Sequence, residues 1–92
     1  MEITGKTIDG MPVVSGVGKL CFTTGLPLEV VLHRVKAKGW VVDWLDYMTD
    51  ALNDGHNPRT IRARIIGAIG DVYGGAYCEG FTKRLGDYLP QS

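Results

Sequence analysis

The sequence predicts an α+β protein in which a short β-rich amino-terminal segment packs on a small bundle of about four helices. Three observations carry this. Residues 2–23 show no helical period and hold short apolar runs between glycines, the pattern of strands joined by tight turns. Residues 26–89 switch to apolar side chains at three- and four-residue steps, the spacing that lines one face of a helix. Pro, Gly, Asp and Asn then fall where such helices must start and stop. A chain of 92 residues, 45% apolar and 22% charged, is expected to form one domain, 1–92, with a single modest core.

At the amino end, Ile3–Ile8 and Met11–Val14 read as the arms of a hairpin turning at Asp9-Gly10, and Leu20–Phe22 as a further short apolar run within a β- and turn-rich stretch, 1–23. The run SGVGKL invites comparison with a phosphate-binding loop. It lacks the earlier glycine, and Leu20 stands where a hydroxyl would hold magnesium, so no nucleotide site is expected. Pro27–Lys38 is the first clear helix. Leu28, Val31, Leu32 and Val35 share its inner face, Pro27 suits its first position, and Gly39 supplies a left-handed stop. Trp40-Val41-Val42, aromatic and β-branched, predicts a short strand.

From Asp43 to Asn53, Trp44, Leu45, Tyr47, Met48, Ala51 and Leu52 fall on one side of a helix. Asp43, Asp46, Asp50 and Asp54 fall on the other, with Asp43 as N-cap. Asn53-Asp54-Gly55 stops this helix, and Asn57-Pro58 caps the next, Pro58–Tyr73, whose inward face is Ile61, Ile65, Ile66, Ala68, Ile69 and Val72. Its Ala63, Gly67 and Gly70 form a second face of small residues, for which close helix packing would compensate the low helix propensity of glycine. Gly74-Gly75 closes it, and a last helix, about Ala76–Leu89, sets Tyr77, Phe81, Leu85 and Tyr88 on one side.

The stretch TTGLPLEVVLHRVKAKGWVVD, residues 23–43, resembles the turn, recognition helix and first wing strand of winged helix-turn-helix DNA-binding proteins. The likeness makes Gly25 the turn glycine, Cys21 the small residue before it, and Leu20, Leu26 and Val31 buried positions. Thr24 and Arg34 depart from that pattern, which wants apolar residues there, and residues 1–19, with Gly5, Gly10, Pro12, Gly16 and Gly18, offer no obvious helices ahead of the turn. Residues 42–80 also resemble the helical core-binding part of tyrosine recombinases, through VDWLDYMTDAL, a glycine turn, and HNPRTIRARIIGAIG; DNA contact is implied, recombinase activity is not.

The function expected from these features is a small non-enzymatic DNA-binding or DNA-associated regulator. His33, Lys36 and Lys38 would meet bases or phosphates, and Arg59, Arg62 and Arg64 would hold flanking backbone. A homodimer is expected because one short helix reads little sequence. Ten basic residues balanced by ten acidic ones argue against a sequence-blind phosphate binder, without excluding a locally basic face. The alternative is a protein-binding adaptor or inhibitor, of the size phages encode, acting through the stripe Asp43, Asp46, Asp50 and Asp54. Either reading makes the protein cytoplasmic. No run is long enough for a membrane span, and Cys21 and Cys78 lack metal or disulfide spacing. No catalytic residue, metal site or cofactor is expected.

Overall fold

The structure is a computed structural model that describes residues 1–85, with side chains through Phe81. The expected end of the last helix beyond Leu85, and the packing expected of the Leu85 and Tyr88 side chains, lie outside what it describes. The fold is α+β: β1 (Glu2–Lys6), β2 (Pro12–Ser15), α1 (Val17–Thr24), α2 (Leu28–Ala37), β3 (Val41–Val42), α3 (Trp44–Asn53), α4 (Pro58–Tyr73) and α5 (Gly75–Leu85).

β1 and β2 form the expected antiparallel hairpin. Its connection is closed by Gly10 N–H donating to Thr7 O and Thr7 N–H donating to Met11 O, both 2.9 Å. Glu2 pairs with Ser15 and Lys6 with Pro12, with one irregularity between Ile3 and Gly5, so Thr4 is an extra residue that kinks the outer strand. β3 is the strand that Trp40-Val41-Val42 suggested, but it pairs in parallel with β2, Val13 beside Val41 and Val14 beside Val42. Two parallel neighbours need a crossover, and here α1 and α2 together supply it. The strand then leads directly into α3, so no hairpin follows that could serve as a wing.

The core is a continuous apolar cluster. Val14 of the sheet, Val17 and Cys21 of α1, Val31, Leu32 and Val35 of α2, Tyr47 and Ala51 of α3, and Ile61, Ile65 and Ile69 of α4 are all buried. Each large aliphatic side chain removed from water here contributes about 1.5–3 kcal/mol. α2 lies along α4, and Lys36 Nζ donates to Val72 O at 2.9 Å, tying the second half of α2 to the last turn of α4.

Three features depart from the sequence expectation. The β- and turn-rich stretch ends at Ser15, because Val17–Thr24, including Leu20–Phe22, is a helix; there are five helices among the described residues instead of about four. The entrance to α1 is set from a distance: Gly16 has φ +85°, and its N–H donates to Asp46 Oδ2 at 2.8 Å, thirty positions on. Leu45 and Leu52, expected inside, are 57% and 40% exposed, because the apolar face of α3 is wider than the surface its neighbours cover. Finally, no described atom lies within 4 Å of where a Cβ at Gly67 would stand, and Gly70 meets Cys78 Sγ at 3.9 Å, so close packing against the described residues does not account for Gly67.

Candidate nucleic-acid interface

α1, the three residues Gly25-Leu26-Pro27 and α2 make a helix-turn-helix arrangement in the plain geometric sense. Gly25, at φ +73°, ends α1 in the left-handed conformation that glycine adopts without strain, and its N–H donates to Cys21 O at 3.0 Å. Pro27 is extended and stands just ahead of α2 as its N-cap residue. From there the inner residues Leu28, Val31, Leu32 and Val35 fix how α2 rolls on the core.

That roll determines the outer face. Val30, His33, Arg34 and Ala37, spaced i, i+3, i+4 and i+7, form one exposed ridge opposite the buried stripe. The side chains of His33 and Arg34 have no hydrogen bond, ion pair or ring contact among the described residues, and Val30 is 39% exposed. Arg34, a misfit in the recognition-helix pattern if it had to be buried, is therefore an outward cation. Its i+4 spacing to Lys38 was readable in the sequence, but its exposure required the roll of α2.

The six expected contact residues do not form one patch. His33 is on the ridge. Lys36 is turned to α4, where besides its bond to Val72 O it lies 5.4 Å from the centre of the Tyr73 ring. Lys38, the C-cap of α2, has its Nζ 5.0 Å from the centre of the Trp40 ring. Arg59, Arg62 and Arg64 are exposed and have no ion pair among the described residues. At 3.6 residues per turn, Arg62 and Arg64 project roughly 200° apart, on opposite flanks of the buried stripe of α4. Arg59 and Arg62, three positions apart, share a flank, and Arg64 is turned away from both.

The aspartates are largely engaged inside the chain. Asp43 accepts from Asp46 N–H at 3.1 Å as the cap of α3, Asp46 accepts from Gly16 N–H, and Asp54 Oδ2 is 3.2 Å from His56 Nε2. The Asp50 side chain abuts Gly18. The stripe therefore has structural duties, and it does not answer the arginines of α4.

A cleft of about 440 Å³ opens between α1, the turn, the start of α2 and the α3–α4 connection; Cys21, Phe22, Leu28, Glu29, Tyr47, Asp54, His56 and Arg64 are among its lining. Cysteine, histidine and aspartate around one cleft are the residue types of a thiol hydrolase. Their arrangement is unsuited to it. Burial first, and then the Glu29 charge, push the Cys21 thiol up, away from the reactive thiolate. No Cys21–His56 hydrogen bond is present, and His56 instead lies against Phe22, ring centres 5.0 Å apart. Burial, as the first cause, pushes Tyr47 up to about 12, so it too stays protonated. Among the described residues there is no group of three or more His, Cys, Asp or Glu side chains able to hold a metal ion. No described helix is long and apolar enough to cross a membrane.

No protein-family model, no curated protein and no solved structure matches this chain.

Proposed function

We propose that this protein is a small, non-enzymatic, DNA-associated regulator that presents the outer ridge of α2 to the major groove of duplex DNA. One observation carries the reading: the second helix of a helix-turn-helix arrangement holds its inner face in the core and leaves His33 and Arg34 outward with no partner among the described residues. An α-helix fits the major groove, and recognition helices of this kind read base edges from one exposed face. Lys38, exposed at the end of α2, supplies a further cation for phosphate oxygens, whereas the Thr23 and Thr24 hydroxyls donate to Lys19 O and Leu20 O within α1. Lys36 acts mainly by anchoring α2 on α4, and the arginines of α4, divided between two flanks, do not act as one clamp. The protein would work in the cytoplasm as a homodimer, because four outward side chains specify too few base pairs to find one site.

The test is fluorescence anisotropy of the purified protein on mixed duplex DNA across a salt series, with the oligomeric state measured on the same sample. Affinity should fall steeply and log-linearly with salt, Arg34→Ala should weaken binding about tenfold, and Lys38→Ala should reduce the salt slope by about one. Absence of binding at low salt sinks the reading. The alternative, a protein-binding adaptor acting through Asp43, Asp46, Asp50 and Asp54, would then be favoured.

A further inference from the structure

We infer that the ridge of α2 reads a thymine through its methyl group and a guanine about two base pairs away. This rests on the DNA-associated reading above and specifies its target. The ridge combines polar and apolar side chains. Its polar members are His33 and Arg34, and its apolar members are Val30 and Ala37. Val30 is the third residue of α2, at the end from which recognition helices reach base edges, and it remains 39% exposed while Leu28, Val31 and Leu32 around it are buried. The major groove presents one apolar group, the thymine methyl, and a side chain of this shape and position suits it.

Arg34 follows Val30 by one helical turn on the same ridge, and its guanidinium has no carboxylate or carbonyl partner among the described residues. An arginine with its fork free pairs with the O6 and N7 acceptors of guanine more readily than with any other base edge. One turn of helix advances roughly 5–6 Å, and base pairs are stacked about 3.4 Å apart, which sets the two contacts about two base pairs from one another. Lys36 is turned away from this ridge towards α4, where its ammonium donates to Val72 O and lies over the Tyr73 ring. The specificity then rests on one methyl contact and one bidentate contact, with His33 between them.

The experiment begins by selecting preferred duplexes from a random pool with the full-length protein. In the selected duplex each thymine is replaced by uracil, which removes only the methyl group, and each guanine by 7-deazaguanine, which removes only the N7 acceptor. Affinities are measured for the native protein, Val30→Ala and Arg34→Ala. Both side chains are on the surface, and unchanged melting temperatures establish that the variants are folded. Uracil at one position should weaken the native protein severalfold and leave Val30→Ala unaffected. 7-Deazaguanine about two steps away should weaken the native protein about tenfold and leave Arg34→Ala unaffected. Tight binding that ignores both replacements, or sensitivity that persists in the matching variant, overturns the base assignment and leaves the DNA-associated reading standing. Failure to bind any duplex at low salt overturns both.

Discussion

Replacing Asp46 with alanine separates a structural aspartate from a binding one. Asp46 lies in the first turn of α3, and its Oδ2 receives the Gly16 N–H at 2.8 Å in a part-buried position, so it holds the entrance of α1. A hydrogen bond to a charged group contributes about 1.5–3 kcal/mol, and the carboxylate near a helix amino terminus adds about 0.5 kcal/mol. Asp46→Ala should therefore cost about 2–3 kcal/mol, which for a domain of this size lowers Tm by at least about 8 °C. Asp46→Asn keeps an acceptor oxygen and loses only the charge, so about 1 kcal/mol is expected. Asp50→Ala retains the Cβ that meets Gly18 and should stay within about 0.5 kcal/mol of the native protein. The three variants are compared by urea unfolding with a common slope, and by thermal melting. If Asp46→Ala is as stable as the native protein, or if Asp50→Ala costs as much, the carboxylate does not anchor α1 and the stripe regains its claim as a partner surface.

Gly67 and Gly18, both helical, should respond to alanine with opposite signs. Gly67→Ala meets nothing within 4 Å among the described residues and should gain up to about 1 kcal/mol of stability, whereas the new Cβ at Gly18 would stand 3.0 Å from Asp50 Cβ and 3.3 Å from Tyr47 O, costing about 1–2 kcal/mol net in urea unfolding. Equal shifts in one direction would show that the packing around α1 is not as described. Alkali should unfold the protein in a definite window. Tyr47 is held near 12 in the fold against 10.0 in the free side chain, so the stability it contributes is complete below pH 10 and disappears as the pH rises towards 12, with Cys21 adding loss from about its ordinary value of 9.0 upward. Tyrosinate absorbance should show Tyr47 ionising late and together with loss of helix signal, with Tyr73, which burial also pushes up, ionising above the ordinary value; titration of every tyrosine near 10.0 in an intact fold would refute it.

Where a local signal sets a helix boundary, the sequence makes it legible. Asn57 accepts from Thr60 N–H at 2.9 Å ahead of Pro58, Asp43 caps α3, and Gly39 turns at φ +72°, each as the residue types imply. α1 was hidden because its start depends on Asp46, far along the chain, and because Gly16 and Gly18 resemble turn residues until the packing that needs them is visible. The inner residues of α2 were readable from spacing. Its outer ridge was not, since Lys36 and Arg34 look alike in sequence and differ only in whether α4 lies beneath them. The pairing of β3 with β2 was equally unreadable, because two residues carry no register signal of their own.

The parallel pairing of β2 with β3 has a kinetic consequence. Its two residue pairs join segments separated by the whole of α1 and α2, and Asp43 N–H completes them by donating to Val14 O at 2.9 Å. So short a ladder cannot exist before the loop between its strands is ordered, and that loop is the helix pair itself. Amide hydrogens at Val42 and Asp43 should consequently exchange with solvent no more slowly than those in the middle of α2, and at the same opening free energy, so that the strand and the candidate reading helix report a single cooperative event. A ligand that clamps α2 would then slow exchange in the sheet, although it touches no residue of it.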